Sequence, residues 1–257
     1  MKPKVVIFAD IDGTILDDQY SFTEIQPIIL ELLLLKTSIA LTSSKTKAEI
    51  EFYRKILGIK DPFIVEDGSA IIIPKDYFKI KYDFAKQNRL YRVIELGIDY
   101  STIREKLALI QKKNNATIIG FGDMTIKELA MDTELPLNLA VLAKKREYDE
   151  PFKIINGSEE NFLQDIENEG LSYTKGGRYF HLHGDTDKGK AIAALKHLYI
   201  DEFSKVATIG IGDSQNDLPM GSIVDTLIVI SKKNRIAGWQ KVLEIAKTYA
   251  LQTNKNP

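Results

Sequence analysis

The chain has 257 residues, enough for one large or two modest domains, with the 44% hydrophobic and 28% charged content of a globular protein. Its 35 Lys and Arg residues nearly balance 36 Asp and Glu residues, which argues against nucleic-acid binding. It has no cysteine, which excludes disulfides, thiolate nucleophiles and cysteine metal sites. No apolar run reaches membrane-spanning length, so we predict a cytoplasmic protein without nucleic-acid or membrane partners.

Short apolar strands alternate with amphipathic helices through the first third of the chain. The predicted strands cover residues 5–8, 38–41 and 63–65. One helix is predicted at 23–36, and a second runs from a cap at Ser44 or Thr46 to about Leu57, where Gly58 ends it. This alternation is typical of βαβ units and a parallel sheet.

The last quarter repeats this alternation, whereas the middle of the chain has a different pattern. The last quarter is predicted to contain helices at 187–198 and 237–250 and strands at 206–211 and 227–230. In the middle, the predicted helices cover residues 101–113, 125–133 and 137–145. Thr125 and Glu128 form a candidate capping box, and the polar tail 252–257 is predicted to be frayed.

These segments predict an α/β protein with two domains. A Rossmann-like core with a three-layer parallel sheet is expected at residues 1–81 and 184–257, and a smaller α+β domain is inserted at residues 82–183. In such a core, ligands bind beyond the carboxyl ends of the strands. Four segments of this sequence place polar residues at those positions.

The first segment is Asp10-Ile11-Asp12-Gly13-Thr14, directly after the first strand. A carboxylate can attack phosphorus to give an aspartyl-phosphate, and a nearby hard cation such as Mg²⁺ offsets the repulsion between nucleophile and ester. Two carboxylates at this spacing therefore fit the roles of nucleophile, acid–base group and metal ligand. The alternative is an ordinary Asp-x-Asp-Gly surface turn.

The next two segments offer groups that bind anions. Ser43, Ser44 and Lys45 follow the second strand and open a helix, where hydroxyls and backbone N–H groups favour an anion. Lys188 lies at the start of a later helix and would give a positive charge to a phosphate and to the nucleophile. The alternatives are simple helix capping for the first segment and a solvated surface lysine for the second.

The fourth segment, residues 212–217, follows the strand predicted at 206–211 and contains Asp213, Asn216 and Asp217. Its two aspartates would add carboxylates on the side where Asp10 and Asp12 lie. The glycine pair before Asp213 lacks the third glycine of a dinucleotide-binding motif, which argues against that alternative.

In order and placement, the four segments resemble the motifs of the haloacid dehalogenase-like phosphohydrolase superfamily: DxDGT, a Ser/Thr strand end, a Lys and GDxxxD. The insertion resembles the C2-type cap of the Cof-type, or IIB, branch. Longer stretches resemble the mannosyl-3-phosphoglycerate phosphatase family; they cover residues 43–49, 66–71, 120–125, 143–152 and 176–181. The resemblance spans nearly the whole chain. It implies a phosphatase that converts 2-O-mannosyl-3-phosphoglycerate to mannosylglycerate, a compatible solute, and phosphate.

The resemblance also implies roles for individual residues. Asp10 would be the nucleophile, and Asp12 would protonate the leaving alkoxide and then activate water. Mg²⁺ would be held by the carboxylates of Asp10 and Asp213 and the backbone carbonyl of Asp12, with Asp217 orienting Lys188 or a metal-bound water. The predicted metal-site residues are thus Asp10, Asp12, Asp213 and Asp217.

Substrate contacts are expected from both domains. The predicted substrate-binding residues are Ser43, Ser44, Lys45, Arg146, Arg178, Lys188 and Asn216. Ser43, Lys188 and Asn216 would hold the phosphoryl oxygens. Arg146 and Arg178, with Lys45 at the rim, would bind the substrate carboxylate because the guanidinium fork matches it. The alternative for both arginines is a solvated side chain paired with neighbouring acids.

Other interpretations of the sequence stay open. The substrate could be glucosyl-3-phosphoglycerate or another sugar phosphate, and a phosphomutase or a non-catalytic sugar-phosphate sensor could share the fold. Cap motion is expected, with hinges near 81–83 and 183–186. His181 and His183 are interpreted as packing residues rather than metal ligands. The protein is expected to be a monomer or a homodimer.

Overall fold

The computed structural model describes residues 2–251, so the predicted frayed tail lies outside the described residues. The strands are β1 (Lys4–Ala9), β2 (Ser38–Leu41), β3 (Phe63–Val65), β4 (Ala70–Pro74), β5 (Lys86–Gln87), β6 (Tyr91–Glu95), β7 (Thr117–Gly120), β8 (Asp149–Asn156), β9 (Ser172–Gly176), β10 (Tyr179–His183), β11 (Val206–Gly212) and β12 (Thr226–Val229). The α-helices are α1 (Gln26–Leu34), α2 (Lys47–Leu57), α3 (Tyr100–Lys113), α4 (Ile126–Thr133), α5 (Leu137–Ala143), α6 (Glu159–Asn168), α7 (Lys188–Phe203) and α8 (Arg235–Leu251).

A parallel sheet in the order β12-β11-β1-β2 forms the centre of the core. Because side chains alternate along β1, Ile7 packs in a cluster with residues of α1, α2 and α8, whereas Phe8 packs in a cluster with residues of α7. Helices therefore cover both faces of the sheet. This confirms the predicted three-layer, Rossmann-like core.

A second, antiparallel sheet in the order β3-β4-β6-β5 adjoins the first one. It meets the parallel sheet through a parallel bridge between Thr42 and Ile64. Residues 86–95 were predicted to lie in the insertion, but β6 pairs with β4 and β5 pairs with β6, which places them in this sheet of the core. The reason is that β4 offers β6 a five-residue antiparallel edge, from Ala70 to Pro74. We therefore propose that the insertion begins near Gly97 rather than at residue 82.

The insertion is built on an antiparallel sheet in the order β7-β8-β10-β9. Its hydrophobic cluster combines residues of α3 and α6 with Phe152 and Phe180 of the sheet. Helices α4 and α5 share a smaller cluster with Phe121 and Tyr179. The predicted α+β character is confirmed. Helix α6 was missed from the sequence because few of its residues are buried, Phe162 and Ile166 among them.

Helix ends follow the local sequence signals. Of the two candidate caps for α2, the structure uses Thr46, which forms a capping box with Glu49. Gly58 ends the same helix at φ 72°, in the left-handed region that glycine adopts without strain. Thr125 and Glu128 form the predicted capping box of α4. None of the helices within residues 2–251 combines the length and apolar character needed to cross a membrane.

Candidate active site

The four polar segments meet at one edge of the parallel sheet, because β1 lies between β11 and β2 and all three point the same way. Lys188, in the first turn of α7, reaches under this edge. Its Nζ lies 2.7 Å from Oδ1 of Asp10 and 2.6 Å from Oδ1 of Asp217. The lysine side chain is only 1% exposed, so the three charges form a buried triad. The alternative of a solvated surface lysine is therefore wrong.

Burial dominates the electrostatics of this triad. Burial raises the pKa of Asp10 from its ordinary value of 3.8 to about 8, with Lys188 opposing the shift and Asp217 and Asp12 adding to it. For Lys188, burial alone would lower the pKa, but Asp10 and Asp217 together hold it above its usual range. Two carboxylates thus share one ammonium group, and a cation bound beside them would favour the ionised form of Asp10.

Asp213 completes an acidic cluster with this pair. One carboxylate oxygen each from Asp10, Asp213 and Asp217 lie within 4.8 Å of one another. Within residues 2–251, the Asp213 carboxylate has no ion pair or side-chain hydrogen bond, and burial followed by Asp217 raises its pKa. Oxygen-only donors of this kind suit Mg²⁺. The residues present therefore fit the cation that sequence analysis predicted.

The carboxylate of Asp12 lies outside this cluster. It is 47% exposed, and its Oδ2 lies 3.0 Å from Nζ of Lys45, which is also 3.6 Å from Oε1 of Glu49. Lys45 was expected at the rim, but it is buried with its ammonium between the rings of Tyr20 and Tyr53. The direct partner of Lys45 in the structure is therefore Asp12.

A cavity of about 510 Å³ opens above these groups, between the core and the inserted domain, which is called the cap from here on. Of the predicted residues, those lining it are Asp10, Asp12, Ser44, Lys45, Arg146, Arg178, Asp213 and Asn216. Ser43 and Lys188 are buried and do not line the cavity, although Lys188 contacts Asp10. The amide of Asn216 donates from Nδ2 to Oδ1 of Asp67 at 3.1 Å.

The two cap arginines differ in how firmly they are held. The Arg146 side chain is 5% exposed; its Nη1 donates to the carbonyl of Ser44 at 2.7 Å and to Asp149 at 2.8 Å. Arg178 is 55% exposed and lies 3.6 Å from Glu134. Arg146 is thus a fixed positive charge in the cavity wall, whereas Arg178 is a largely solvated one.

Two residues of this region, Glu49 and Asp67, were not predicted from the sequence. Glu49 carries the Ser/Thr-x-x-Glu pattern with Thr46, the same signal that identified the cap of α4. Asp67 lies two residues after the end of β3, where the rule for strand ends applies, but it was not among the predicted site residues. His181 lines the cavity and pairs through Nδ1 with Asp149 at 2.9 Å, and no acidic metal cluster within residues 2–251 includes it.

Comparison with known proteins identifies the family. Residues 7–256 match the family model for haloacid dehalogenase-like hydrolases. The chain belongs to the haloacid dehalogenase-like hydrolases. A glucosyl-3-phosphoglycerate/mannosyl-3-phosphoglycerate phosphatase of Methanococcoides burtonii is 44% identical over 89% of this chain and 85% of the relative. A mannosyl-3-phosphoglycerate phosphatase of Pyrococcus furiosus is 39% identical over 88% of this chain and 90% of that relative.

Solved structures share the fold of this chain. A Thermoplasma acidophilum structure aligns with a TM-score of 0.64 at 18% identity, covering 95% of this chain and all of that one. The structure of a HAD subclass IIB sugar phosphatase aligns with a TM-score of 0.61 at 14% identity, over 96% of this chain and 99% of that one. The prediction of a phosphatase in this family, and of its fold, is confirmed.

Proposed function

We propose that this haloacid dehalogenase-like hydrolase is a Mg²⁺-dependent phosphatase that hydrolyses 2-O-mannosyl-3-phosphoglycerate to mannosylglycerate and phosphate. The observation that carries the proposal is the buried triad of Asp10, Lys188 and Asp217 beneath a cavity whose cap-side wall holds Arg146. The triad suits phosphoryl chemistry, and a fixed guanidinium suits a second anionic group such as the glycerate carboxylate.

Asp10 is proposed to act as the nucleophile. One of its carboxylate oxygens attacks phosphorus, the ester P–O bond breaks, and an aspartyl-phosphate forms. Asp12 gives its proton to the leaving alkoxide and later takes a proton from the water that hydrolyses the acyl phosphate. Its half-exposed carboxylate lines the cavity, where a leaving alkoxide and a water molecule can reach it, which supports this role.

The remaining charges serve to hold the phosphoryl group. Mg²⁺ bound by Asp10 and Asp213 would neutralise charge between nucleophile and ester, with Asp217 orienting Lys188. Lys188 adds the positive charge that holds Asp10 in place. Asn216, which lines the cavity, and Ser43, whose buried hydroxyl accepts a hydrogen bond from the N–H of Lys45, are proposed to bind phosphoryl oxygens.

The sugar is inferred from the relatives. Two relatives are named for both glucosyl and mannosyl esters, and two for the mannosyl ester alone. We infer a sugar 3-phosphoglycerate as substrate, with the mannosyl ester first and the glucosyl ester as the alternative. The cytoplasmic location and the monomeric or homodimeric state stay predictions from the sequence.

Phosphate release from a panel of esters tests the proposal. The panel contains the mannosyl and glucosyl 3-phosphoglycerates, 3-phosphoglycerate and mannose 6-phosphate, each with Mg²⁺ or EDTA. We expect turnover of the first two only with Mg²⁺, and Asp10→Asn should lower kcat at least about 10³-fold, as the loss of a covalent nucleophile does. Equal turnover of mannose 6-phosphate would refute the substrate, and full activity of Asp10→Asn would refute the mechanism.

A further inference from the structure

The loop after β3 connects the cap to the active site. Glu66, Asp67 and Gly68 have consecutive positive φ angles of 48°, 53° and 93°. Left-handed backbone costs non-glycine residues on the order of 1 kcal/mol each, and it persists where surrounding contacts fix it. Both acidic side chains of this loop are also fully buried. Strain and buried charge together indicate that these two residues do more than turn the chain.

The contacts of Glu66 show what fixes one end of the loop. Its carboxylate accepts hydrogen bonds from the backbone N–H groups of Glu147, Tyr148 and Asp149, at 2.7–3.1 Å. These three residues belong to the insertion. A core carboxylate thus binds three successive amides of the cap, a strong charge-assisted arrangement.

The same loop contacts both segments that cross between the domains. The carbonyl of Ser69 accepts from the N–H groups of Leu96 and Gly97, at 2.9 and 2.8 Å. The carbonyl of Gly68 accepts from the hydroxyl of Thr186 at 2.8 Å. Residues 66–69 therefore form the point on which the cap is seated.

Asp67 accepts hydrogen bonds both from a cap residue and from a residue of the active site. Its Oδ2 accepts a hydrogen bond from the hydroxyl of Thr174, on cap strand β9, at 3.0 Å. Its Oδ1 accepts from Nδ2 of Asn216 at 3.1 Å, and the amide oxygen of Asn216 accepts from the hydroxyl of Ser214. The amide is held at both ends, and its second N–H remains available for a substrate oxygen in the cavity that Asn216 lines.

We propose that Asp67 is a positioning residue that couples the position of the cap to the orientation of the Asn216 side-chain amide. The coupling acts through the hydrogen bonds that Asp67 accepts from Thr174 and Asn216. When the cap is seated, the Thr174 hydroxyl fixes the Asp67 carboxylate, and that carboxylate fixes the amide plane of Asn216. The inference rests on the proposed function, because it requires Asn216 to hold the transferred phosphoryl group.

Thr174 gives the sharpest test because it lies in the cap and is connected to the substrate only through Asp67 and Asn216. Thr174→Val removes the hydroxyl with little change in shape, whereas Thr174→Ser retains it. Thr117→Val, at an exposed position on cap strand β7, is the matched control. Thermal melts verify that all variants fold. Steady-state kinetics use 2-O-mannosyl-3-phosphoglycerate and 4-nitrophenyl phosphate, which share only the phosphoryl group.

For Thr174→Val we expect kcat to fall about tenfold on both esters with little change in KM, the size of effect that losing a hydrogen bond to a charged group produces. Thr174→Ser and Thr117→Val should keep the wild-type kcat. The double variant Thr174→Val/Asn216→Ala should be no slower than Asn216→Ala alone. A loss confined to the sugar ester, or additive losses in the double variant, would overturn the inference.

A measurement without turnover completes the test. The side-chain amide resonances of Asn216, assigned by their absence in Asn216→Asp, should shift in Thr174→Val and stay in place in Thr117→Val. Unchanged resonances in Thr174→Val would overturn the inference whatever the kinetics show. Turnover of 4-nitrophenyl phosphate without turnover of the sugar ester would refute the proposed substrate and leave the comparison of Thr174 variants intact.

Discussion

Replacing Asp10, the proposed nucleophile, should make the metal-free protein more stable. The triad places two buried carboxylates beside one buried ammonium group, and burial raises the pKa of Asp10 to about 8. Asp10→Asn removes the charge that the folded protein accommodates poorly. Removing an excess buried charge is favourable when the remaining pair, Lys188 and Asp217, stays balanced. We therefore expect a higher free energy of unfolding for the inactive variant.

The pKa shift sets the size and the pH range of this gain. One pKa unit corresponds to about 1.4 kcal/mol, so a shift from 3.8 to about 8 gives an upper limit of about 6 kcal/mol. Relaxation around a buried charge reduces such penalties, and we expect about 3 kcal/mol. Between pH 4 and pH 8 the unfolded chain has lost the Asp10 proton and the folded chain retains it, so wild-type stability falls as pH rises. The gain in the free energy of unfolding from Asp10→Asn should be near zero at pH 4 and should reach its full size at pH 8.

Urea unfolding in EDTA at several pH values measures this difference. Asp12→Asn is the control, because its half-exposed carboxylate lies outside the buried triad and its removal should give no gain that grows with pH. Adding Mg²⁺ should reverse the ranking, since the cation stabilises only the protein that binds it. The reasoning is refuted if Asp10→Asn is no more stable than wild type at pH 8 without metal.

Three further predictions concern the same site. Gly13→Ala should lower kcat/KM at least about tenfold, because the φ of Gly13 is +72° and the new Cβ would lie 2.1 Å from Oδ2 of Asp213. The control is Gly170→Ala, which has a similar φ of +69° but open space around the new Cβ, and it should only lower the melting temperature. Glu49→Gln should keep the capping box of α2 but remove the ion pair with Lys45, and it should raise KM about threefold to tenfold in steady-state assays. The control is Glu128→Gln, at the corresponding N-terminal cap of helix α4, and it should leave KM at the wild-type value. Mg²⁺ should raise the melting temperature of the wild type and leave that of Asp213→Asn unchanged in a calorimeter.

The parallel core and its polar edge could be predicted because each depends on local signals. Short β-branched runs set β1, β2 and β11, and the strands' common direction then fixes where Asp10, Ser43 and Asp213 meet. The position of Lys188 at a helix start gave no sign that it would be buried. Only the packing of α7 against the sheet edge places its ammonium between two aspartates.

Contacts between distant segments could not be predicted in the same way. The pairing of β6 with β4 depends on an edge that no local pattern marks, so nothing in the sequence indicated that residues 91–95 group with the core. Arg146 lies in a charged run that would ordinarily be solvated. It is buried because the carbonyl of Ser44, about a hundred residues away in the chain, accepts its hydrogen bond.

The seating of the cap on residues 66–69 has an evolutionary consequence. Both crossings between the domains are anchored within one four-residue loop, so the 97–183 segment enters and leaves the core at nearly the same place. A guest sequence whose ends fit that loop could replace the whole segment while the hydrolytic groups stayed untouched. Ester preference can then diversify by exchange of one contiguous piece of coding sequence, without any alteration to the residues that break the phosphate bond.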